Sequence, residues 1–332
     1  MNVLRNEKIP LPAWRELLER SPYSTPFQTP EWYELFNSVF GLSADAIAVS
    51  DNEHLLTLVV ITFQKEQGIK GYFSRRGIIY GGPLLSNEVS EANDLIIKQI
   101  DVITTGRCIY VETRNFNQYS PYQSAFFNNG WKYLPYLNFQ VHTGNMKSIS
   151  GSISSSRMRQ IRNAKKNGAY WKEATDLDEV KVFYSILAKL YKEKIGKPVL
   201  PWEFFREFYN CSYGKYLLVW NNNEIIGGIM CPFLKYKAIY EFYICGLDNE
   251  NKEQYPSVMS TWAAIEYANL NGIPIFDFMG AGLKDKDYGV RDFKARFGGE
   301  LVEFGRYIKV QNRFLYNLGK LGLKASKLRR SV

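Results

Sequence analysis

What most constrains the fold of this chain is an echo between its two halves. Residues 51–63 run from a polar turn into an apolar strand, and residues 221–233 do the same. Residues 92–113 read as a helix, a short turn containing Gly106 and an apolar strand; residues 257–279 repeat this order with Asn271 and Gly272 in the turn. Each pair is offset by about 170 residues, the interval expected of one supersecondary unit used twice. A duplicated unit predicts an α/β (α+β) chain of two similar domains, with mixed, mostly antiparallel sheets flanked by helices. Chance recurrence of a common βα pattern produces the same strings, so both readings stand at this point.

The chain has 332 residues, 42 Lys+Arg against 33 Asp+Glu, 2 His and 4 Cys. At roughly 150 residues per domain the length fits two domains, expected at 1–150 and 151–310, with a separate helix at 311–332. An apolar share of 45% and a charged share of 23% are ordinary globular values and exclude wholesale disorder. The net charge of +9 is unevenly placed: residues 157–172 hold six cations and no acid, and residues 306–330 hold eight and no acid. Those cations outnumber the net charge of the whole chain, so the remainder is net acidic. The basic stretches are two specific places for anionic contacts.

Cys108, Cys211, Cys231 and Cys245 show no CxxC spacing, and only His54 and His142 accompany them. No metal site is expected from that set, and buried, reduced thiols are the plainer expectation. No secretory pattern opens the sequence. The longest charge-free apolar stretch, 55–63, is far short of the roughly 20 residues that span a bilayer. The expected location is the cytoplasm, with a peripheral position at the inner membrane surface left open.

Local signals place the elements. Thr29-Pro30-Glu31 reads as a helix start: Thr caps, Pro fits the first turn and Glu suits the positive end of the dipole. Strands are expected at 55–63, 68–73, 108–113 and, as one alternating run, 131–141. A basic helix is expected at 155–167, closed by Gly168. Another at 177–194 carries Val180, Phe183, Ile186, Leu187, Leu190 and Tyr191 at helical spacing. A helix at 202–209 precedes three strands, 216–220, 225–233 and 238–244, joined by tight polar turns. A helix at 257–271, a strand at 275–279, a short helix at 291–297 and a strand at 300–310 complete the body.

The most specific stretch is Phe276-Asp277-Phe278-Met279-Gly280-Ala281-Gly282, followed after six residues by Gly289-Val290-Arg291-Asp292-Phe293-Lys294-Ala295-Arg296-Phe297-Gly298-Gly299. This pattern resembles the FemAB-like branch of the GNAT acyltransferase superfamily. The basic stretch 156–168 is similar to the helix between that family's halves, and Phe27-Gln28-Thr29-Pro30-Glu31-Trp32 is similar to its N-terminal signature. The resemblance implies two tandem GNAT-like domains. It also implies transfer of an amino acid from aminoacyl-tRNA to an amine of a peptidoglycan or other cell-envelope precursor, without a metal, a cofactor or a covalent intermediate. Two departures qualify it. No long helical hairpin fits between Gly168 and Gly298, as in the family's shorter members. Leu35-Phe36-Asn37-Ser38 offers no basic residue where the family holds a substrate pyrophosphate, which counts against a nucleotide-linked muropeptide acceptor.

The same residues can be read by their chemistry. Acyl transfer to an amine passes through a tetrahedral oxyanion and needs a cation or N–H donor beside it and a base for the amine proton. Phe293 and Phe297 are spaced i, i+4 and share one helix face; Arg291 and Lys294 are spaced i, i+3 and share another. Lys294 is the candidate for the oxyanion, Phe293 for positioning the donor and Arg291 for a substrate contact. In a regular strand Tyr240 and Phe242 face one way and Glu241 and Tyr243 the other; the Tyr243 hydroxyl would orient the amine and Glu241 would accept its proton. Tyr240, Tyr288 and Asp277 are further substrate candidates, with Asp277 alternatively capping the turn at Gly280. Solvated helix charges and a sandwiched strand are the structural alternatives. The turn 251–258, where CoA-using relatives carry a glycine-rich pyrophosphate loop, has no glycine, lacks the N–H of Pro256 and holds Glu253. It favours aminoacyl-tRNA over acyl-CoA as the donor.

Arg159, Arg162 and Lys166 fall on one face of the basic helix. With Arg157 and Lys165 they are candidates for tRNA or phosphate contact, against the alternative of a solvated face. In the tail Phe314, Leu318, Leu321, Ala325 and Leu328 share a face bordered by Lys320, Lys324 and Lys327. Docking on the protein body and contact with a membrane surface or lipid-linked substrate are the alternatives there. The expected partners are charged tRNA and a cell-envelope precursor. Two competing readings are a CoA-dependent N-acyltransferase acting on an amino sugar, polysaccharide or lipid precursor, and a non-catalytic RNA- or envelope-binding protein of the same fold. Oligomeric state has no sequence signal.

Overall fold

The structure, a computed structural model, describes residues 1–51, 54–66, 68, 70–285 and 289–328. The chain forms two compact units, Met1–Pro135 with Phe304–Val332, and Tyr136–Glu303. The boundaries expected at 150 and 310 differ from this division, because the strand before each, at 137–142 and at 306–310, pairs with the other sheet.

The first unit opens with β1 (Asn2–Arg5), α1 (Leu11–Arg20) and α2 (Pro30–Asn37), followed by the hairpin β2 (Ser43–Asp51) and β3 (His54–Gln64). α2 starts where its sequence dictates: the Thr29 hydroxyl accepts from Trp32 N–H at 3.2 Å. Then come α3 (Lys70–Ser74), β4 (Arg76–Gly81), α4 (Ser90–Thr104), β5 (Tyr110–Asn115), α5 (Gln123–Asn128) and β6 (Lys132–Leu134). The strand expected at 68–73 gives way to the short helix α3, and its aromatic residues Tyr72 and Phe73 are both exposed, so they mark no buried sheet face. One face of the sheet packs Ile47, Val59, Ile79 and Val111 against Ile96 and Ile100 of α4.

The second unit contains β7 (Leu137–His142), α6 (Met146–Ser152), α7 (Ser155–Lys166), β8 (Tyr170–Glu173), α8 (Leu177–Leu190) and α9 (Trp202–Tyr209). It continues with β9 (Gly214–Asn221), β10 (Glu224–Leu234), β11 (Ala238–Tyr240), β12 (Tyr243–Gly246), α10 (Pro256–Leu270), β13 (Ile275–Asp277), α11 (Gly289–Ala295) and β14 (Glu300–Glu303). α10 is apolar nearly all round and is buried from Val258 to Ile265, with Leu270 at its end exposed. The chain then returns to the first unit with β15 (Arg306–Val310) and α12 (Arg313–Leu328).

The strand orders are β1-β2-β3-β4-β5-β15-β6 and β14-β7-β13-β11-β10-β9-β8, with β12 also on β10. Each sheet has one parallel pair, β4 with β5 and β11 with β13, and is otherwise antiparallel. The echo in the sequence is an echo in topology: hairpin, antiparallel strand, helix, then a strand parallel to that antiparallel strand, β5 on β4 and β13 on β11.

Three expected strands are each two strands. The run 131–141 divides at Pro135, which cannot donate to a ladder, into β6 and β7 in different sheets. The run 300–310 divides at Gly305 (φ +64°), packed so closely on the Tyr133 ring that a Cβ would collide with it. The run 238–244 divides at Glu241–Phe242, and this break belongs to the site.

Candidate active site

β11 and β12 both pair with β10, and Glu241 and Phe242 lie in the gap between them. The gap is held by two backbone bonds, Glu241 N–H to the Asp277 carbonyl at 2.9 Å and Phe242 N–H to the Met230 carbonyl at 3.1 Å. The strict face alternation expected across 240–243 therefore does not apply, and Glu241 turns inward.

Lys294 reaches Glu241 from α11. Its ammonium donates to the Phe278 carbonyl at 2.7 Å, the Gly280 carbonyl at 3.0 Å and Glu241 Oε1 at 2.9 Å. These are the three acceptors that three donors can use. Both residues are buried, at 7% and 8% exposure, and the ammonium lies 5.2 Å from the centre of the Phe278 ring. A buried pair gains little net stability, because desolvation offsets its attraction. Burial raises the Glu241 pKa, and Lys294 pulls it partly back. Glu241 Oε2 is buried and has no hydrogen-bond partner among the described residues. One oxygen is thus held by a cation and the other is an open acceptor.

Asp277 ends β13 beside this pair. Its carboxylate accepts from Asn138 Nδ2 at 2.9 Å, Gln140 Nε2 at 2.8 Å and Met279 N–H at 2.6 Å. Asn138 Oδ1 in turn accepts from Gly280 N–H at 2.7 Å. These bonds hold a turn with Met279 at φ +56° and Gly280 at φ +127°, conformations that a non-glycine residue rarely adopts unless fixed by its surroundings. Asp277 caps the turn that presents the carbonyls to Lys294. Burial raises its pKa, opposed by its side-chain and backbone donors.

Arg291 grips the next stretch of the same loop, donating through Nε to the Ala281 carbonyl at 2.9 Å and through its terminal nitrogens to the carbonyls of Leu283 and Lys284. Arg291 and Lys294 share a helix face, as their spacing predicts, and both are engaged with loop carbonyls. Phe293 and Phe297 form an edge-to-face pair at 5.4 Å. The Arg157 guanidinium lies over both rings, at 4.4 and 4.6 Å, and donates to the Phe293 carbonyl at 3.2 Å. Arg157 is therefore buried against α11 and is not part of an open basic stripe; burial lowers its pKa to about 10, helped by Arg296.

The other expected residues divide as follows. Tyr240 is buried, with its phenol pushed well up by desolvation. Tyr243 contacts the rings of Tyr191, Phe205 and Phe242. Tyr288 lies outside the described residues. Arg159, Arg162 and Lys166 are exposed, on the side of α7 away from buried Arg157, Ile161 and Ala164. Lys165 pairs with Glu266 at 3.0 Å. Sequence reasoning missed Asn138 and Gln140. Their signal was available: polar residues alternating along the otherwise apolar strand β7 share one face. The carbonyls of Phe278 and Gly280 leave no such signal, since every residue has one.

At the start of α10 Tyr255 is left-handed (φ +46°), and the first free N–H, on Ser257, donates to Asp248 Oδ1 at 3.0 Å. A carboxylate already occupies the helix end that would otherwise receive a phosphate.

Residues 232–323 match the FemAB family, a span that contains Glu241, Asp277, Phe278 and Lys294. In that span the chain resembles the FemAB family. Its fold is that of the crystal structure of FemX, with a TM-score of 0.72 at 16% identity, covering 96% of this chain and 99% of that one. The C-terminal domain (DUF2156) of a putative lysylphosphatidylglycerol synthetase from Agrobacterium fabrum has a TM-score of 0.60 at 11% identity, covering 96% of both chains. A tandem GNAT protein from the clavulanic acid biosynthesis pathway has 0.53 at 9%, covering 93% of this chain and 99% of that one. No curated protein sequence matches this chain. At these identities the structural likeness establishes a shared fold.

Proposed function

We propose that this FemAB-like chain is an aminoacyltransferase that acylates an amine of a peptidoglycan or other cell-envelope precursor from a charged tRNA. The observation that carries the reading is the buried Lys294–Glu241 pair, with one glutamate oxygen left as an open acceptor. The acceptor amine attacks the ester carbonyl of the donor. A C–N bond forms and the amine proton passes to Glu241; protonation weakens the Glu241 bond to Lys294, which frees that ammonium donor for the oxyanion formed at the carbonyl oxygen. The C–O bond of the ester then breaks, and the proton returns to the departing hydroxyl oxygen. Phe293, fixed by Arg157, borders the donor, and the exposed cations Arg159, Arg162 and Lys166 contact its phosphates.

The Asp248 carboxylate at the start of α10 supports aminoacyl-tRNA over acyl-CoA, because a CoA pyrophosphate there would meet an anion. Among the described residues no helix is long and apolar enough to cross a membrane. α12 nevertheless exposes Phe314, Leu318 and Leu321 at 75%, 42% and 63%, which supports contact with an anionic lipid surface carrying the acceptor.

The reading is tested by an amide-forming assay with charged tRNA and with acetyl-CoA, on the wild type and Lys294→Met. Removing an oxyanion donor lowers turnover by about 10²–10³-fold, so Lys294→Met should retain donor binding and lose kcat by that factor. Glu241→Gln/Lys294→Met, which removes both charges, should fold with a near-native melting temperature and be equally inactive. Unchanged kcat in Lys294→Met, or transfer from acetyl-CoA alone, overturns the proposal.

A further inference from the structure

α11, which carries Lys294, is short and thinly packed. Of its residues Gly289–Ala295, Lys294 is the only buried one. So short a helix has no stability of its own, and its position is set by what it touches. On one side Arg291 ties it to the carbonyls of Ala281, Leu283 and Lys284. On the other it meets the start of α7. Ser154 N–H donates to the Arg296 carbonyl at 3.0 Å, and Gly298 packs so closely on Ser152 that a Cβ would come within 2.7 Å of the Ser152 carbonyl oxygen.

Arg157 supplies the third contact from α7. Phe297 N–H bonds to the Lys294 carbonyl at 3.0 Å. This leaves the Phe293 carbonyl, in the last turn of α11, to the Arg157 guanidinium at 3.2 Å. The same guanidinium covers the rings of Phe293 and Phe297, and donates to Gln160 Oε1 at 2.8 Å. Arg157 is 3% exposed, its Nε is buried without an acceptor, and no carboxylate bonds to it among the described residues. A buried cation without a paired anion costs stability. Gln160 apart, the groups that offset this cost are all on α11 or just beyond its end.

We propose that Arg157 is a positioning residue for Lys294: it clamps α11 against the start of α7 and so holds the ammonium at Glu241 and the two loop carbonyls. The flat guanidinium suits this place, because it covers two rings while its edge donates to a carbonyl and an amide, which a lysine ammonium cannot do together. The Phe293 carbonyl it holds belongs to the residue just before Lys294, so slack at Arg157 reaches the ammonium directly. A shift of about 1 Å in a reacting group costs about 10²-fold in rate. The effect on turnover rests on the acyl-transfer reading; the effect on the place of Lys294 does not.

Two measurements on the full chain test it. The first is the rate at which acetic anhydride modifies Lys294, read by mass spectrometry against exposed Lys189. Arg157→Met replaces the unpaired cation with an apolar side chain of similar length, and should melt at or above the wild-type temperature. It should nevertheless expose Lys294 to the reagent about tenfold faster, because the clamp is gone. A wild-type labelling rate in folded Arg157→Met overturns the proposal. Arg157→Lys, which keeps a buried cation and should fold even where Arg157→Met does not, should label Lys294 about threefold faster than the wild type; a wild-type rate there overturns it as well. The second is transfer from charged tRNA. Both variants should lower kcat by about 10–10²-fold with an unchanged donor KM, since Arg157 is turned away from the exposed cations of α7. A raised donor KM with unchanged kcat would make Arg157 a donor contact and overturn the proposal. Wild-type kcat in Lys294→Met overturns the acyl-transfer reading alone, and the labelling rates still decide the role of Arg157.

Discussion

Glu241 and Glu112 are both buried carboxylates held by cations, yet their titrations run in opposite directions. Burial dominates at Glu241 and raises its pKa above the ordinary 4.5. Between those values the folded chain binds more protons than the unfolded one, so this contribution to stability is full at low pH and is lost as pH rises through the folded pKa. Three arginines dominate at Glu112, whose pKa is lowered from 4.5; its contribution is present above that value and is lost as pH falls. Glu241→Gln should therefore melt with a shallower decline than the wild type as pH rises above about 4.5, while keeping the acid-side loss. Parallel melting curves over that range would show that Glu241 titrates as an exposed carboxyl. Part of this residue-level picture is legible in the sequence: Lys294, Glu241 and Asp277 stand out from motif spacing and from charge in apolar strands. Their roles toward one another are not, because the pair depends on a gap between β11 and β12 that regular alternation conceals.

At the level of elements, the two basic helices behave differently. α7 follows its sequence closely: Ser154 caps it, receiving a bond from Arg157 N–H at 3.3 Å, and Gly168 at φ +84° closes it. Its exposed cations make a testable stripe. Replacing Arg159, Arg162 and Lys166 with Gln should reduce the slope of log affinity for tRNA against log salt by about two to three, at about 0.7–0.9 for each phosphate no longer neutralised. An unchanged slope means the face is simply solvated. In α12 a single helix divides its apolar residues: Leu315 is buried at 6%, while Phe314, Leu318 and Leu321 are exposed. Phe314→Ser/Leu318→Ser should abolish co-sedimentation with phosphatidylglycerol vesicles with little change in melting temperature, since both side chains are exposed in the folded chain. Retained binding would place the lipid-binding surface elsewhere. Periodicity shows that α12 is amphipathic, but burial is a property of the neighbours, and no helix sequence contains them.

At the scale of the whole molecule, β15 is the return of the chain into its first sheet, hydrogen-bonded on both sides by β5 and β6. A chain ending at residue 303 loses that strand, leaves two open strand edges and removes Tyr307 from its stack on Phe126 at 3.9 Å. It should aggregate or melt without a cooperative transition, whereas a chain ending at residue 312 keeps every strand and should melt cooperatively. Cooperative unfolding of the shorter chain would mean that β15 is dispensable. The sequence by itself determined the tandem α/β plan, the helix starts, and the charged and aromatic residues that mark the candidate site, because these rest on propensity, capping and periodicity within one segment. The tertiary structure alone decided that 131–141 and 300–310 each split between two sheets, that Arg157 packs on Phe293, and that Asn138 and two loop carbonyls complete the setting of Lys294. Strand partners and buried hydrogen bonds join residues more than a hundred positions apart. A pattern read along one strand reports which side is apolar, and not which sheet or which donor it will meet.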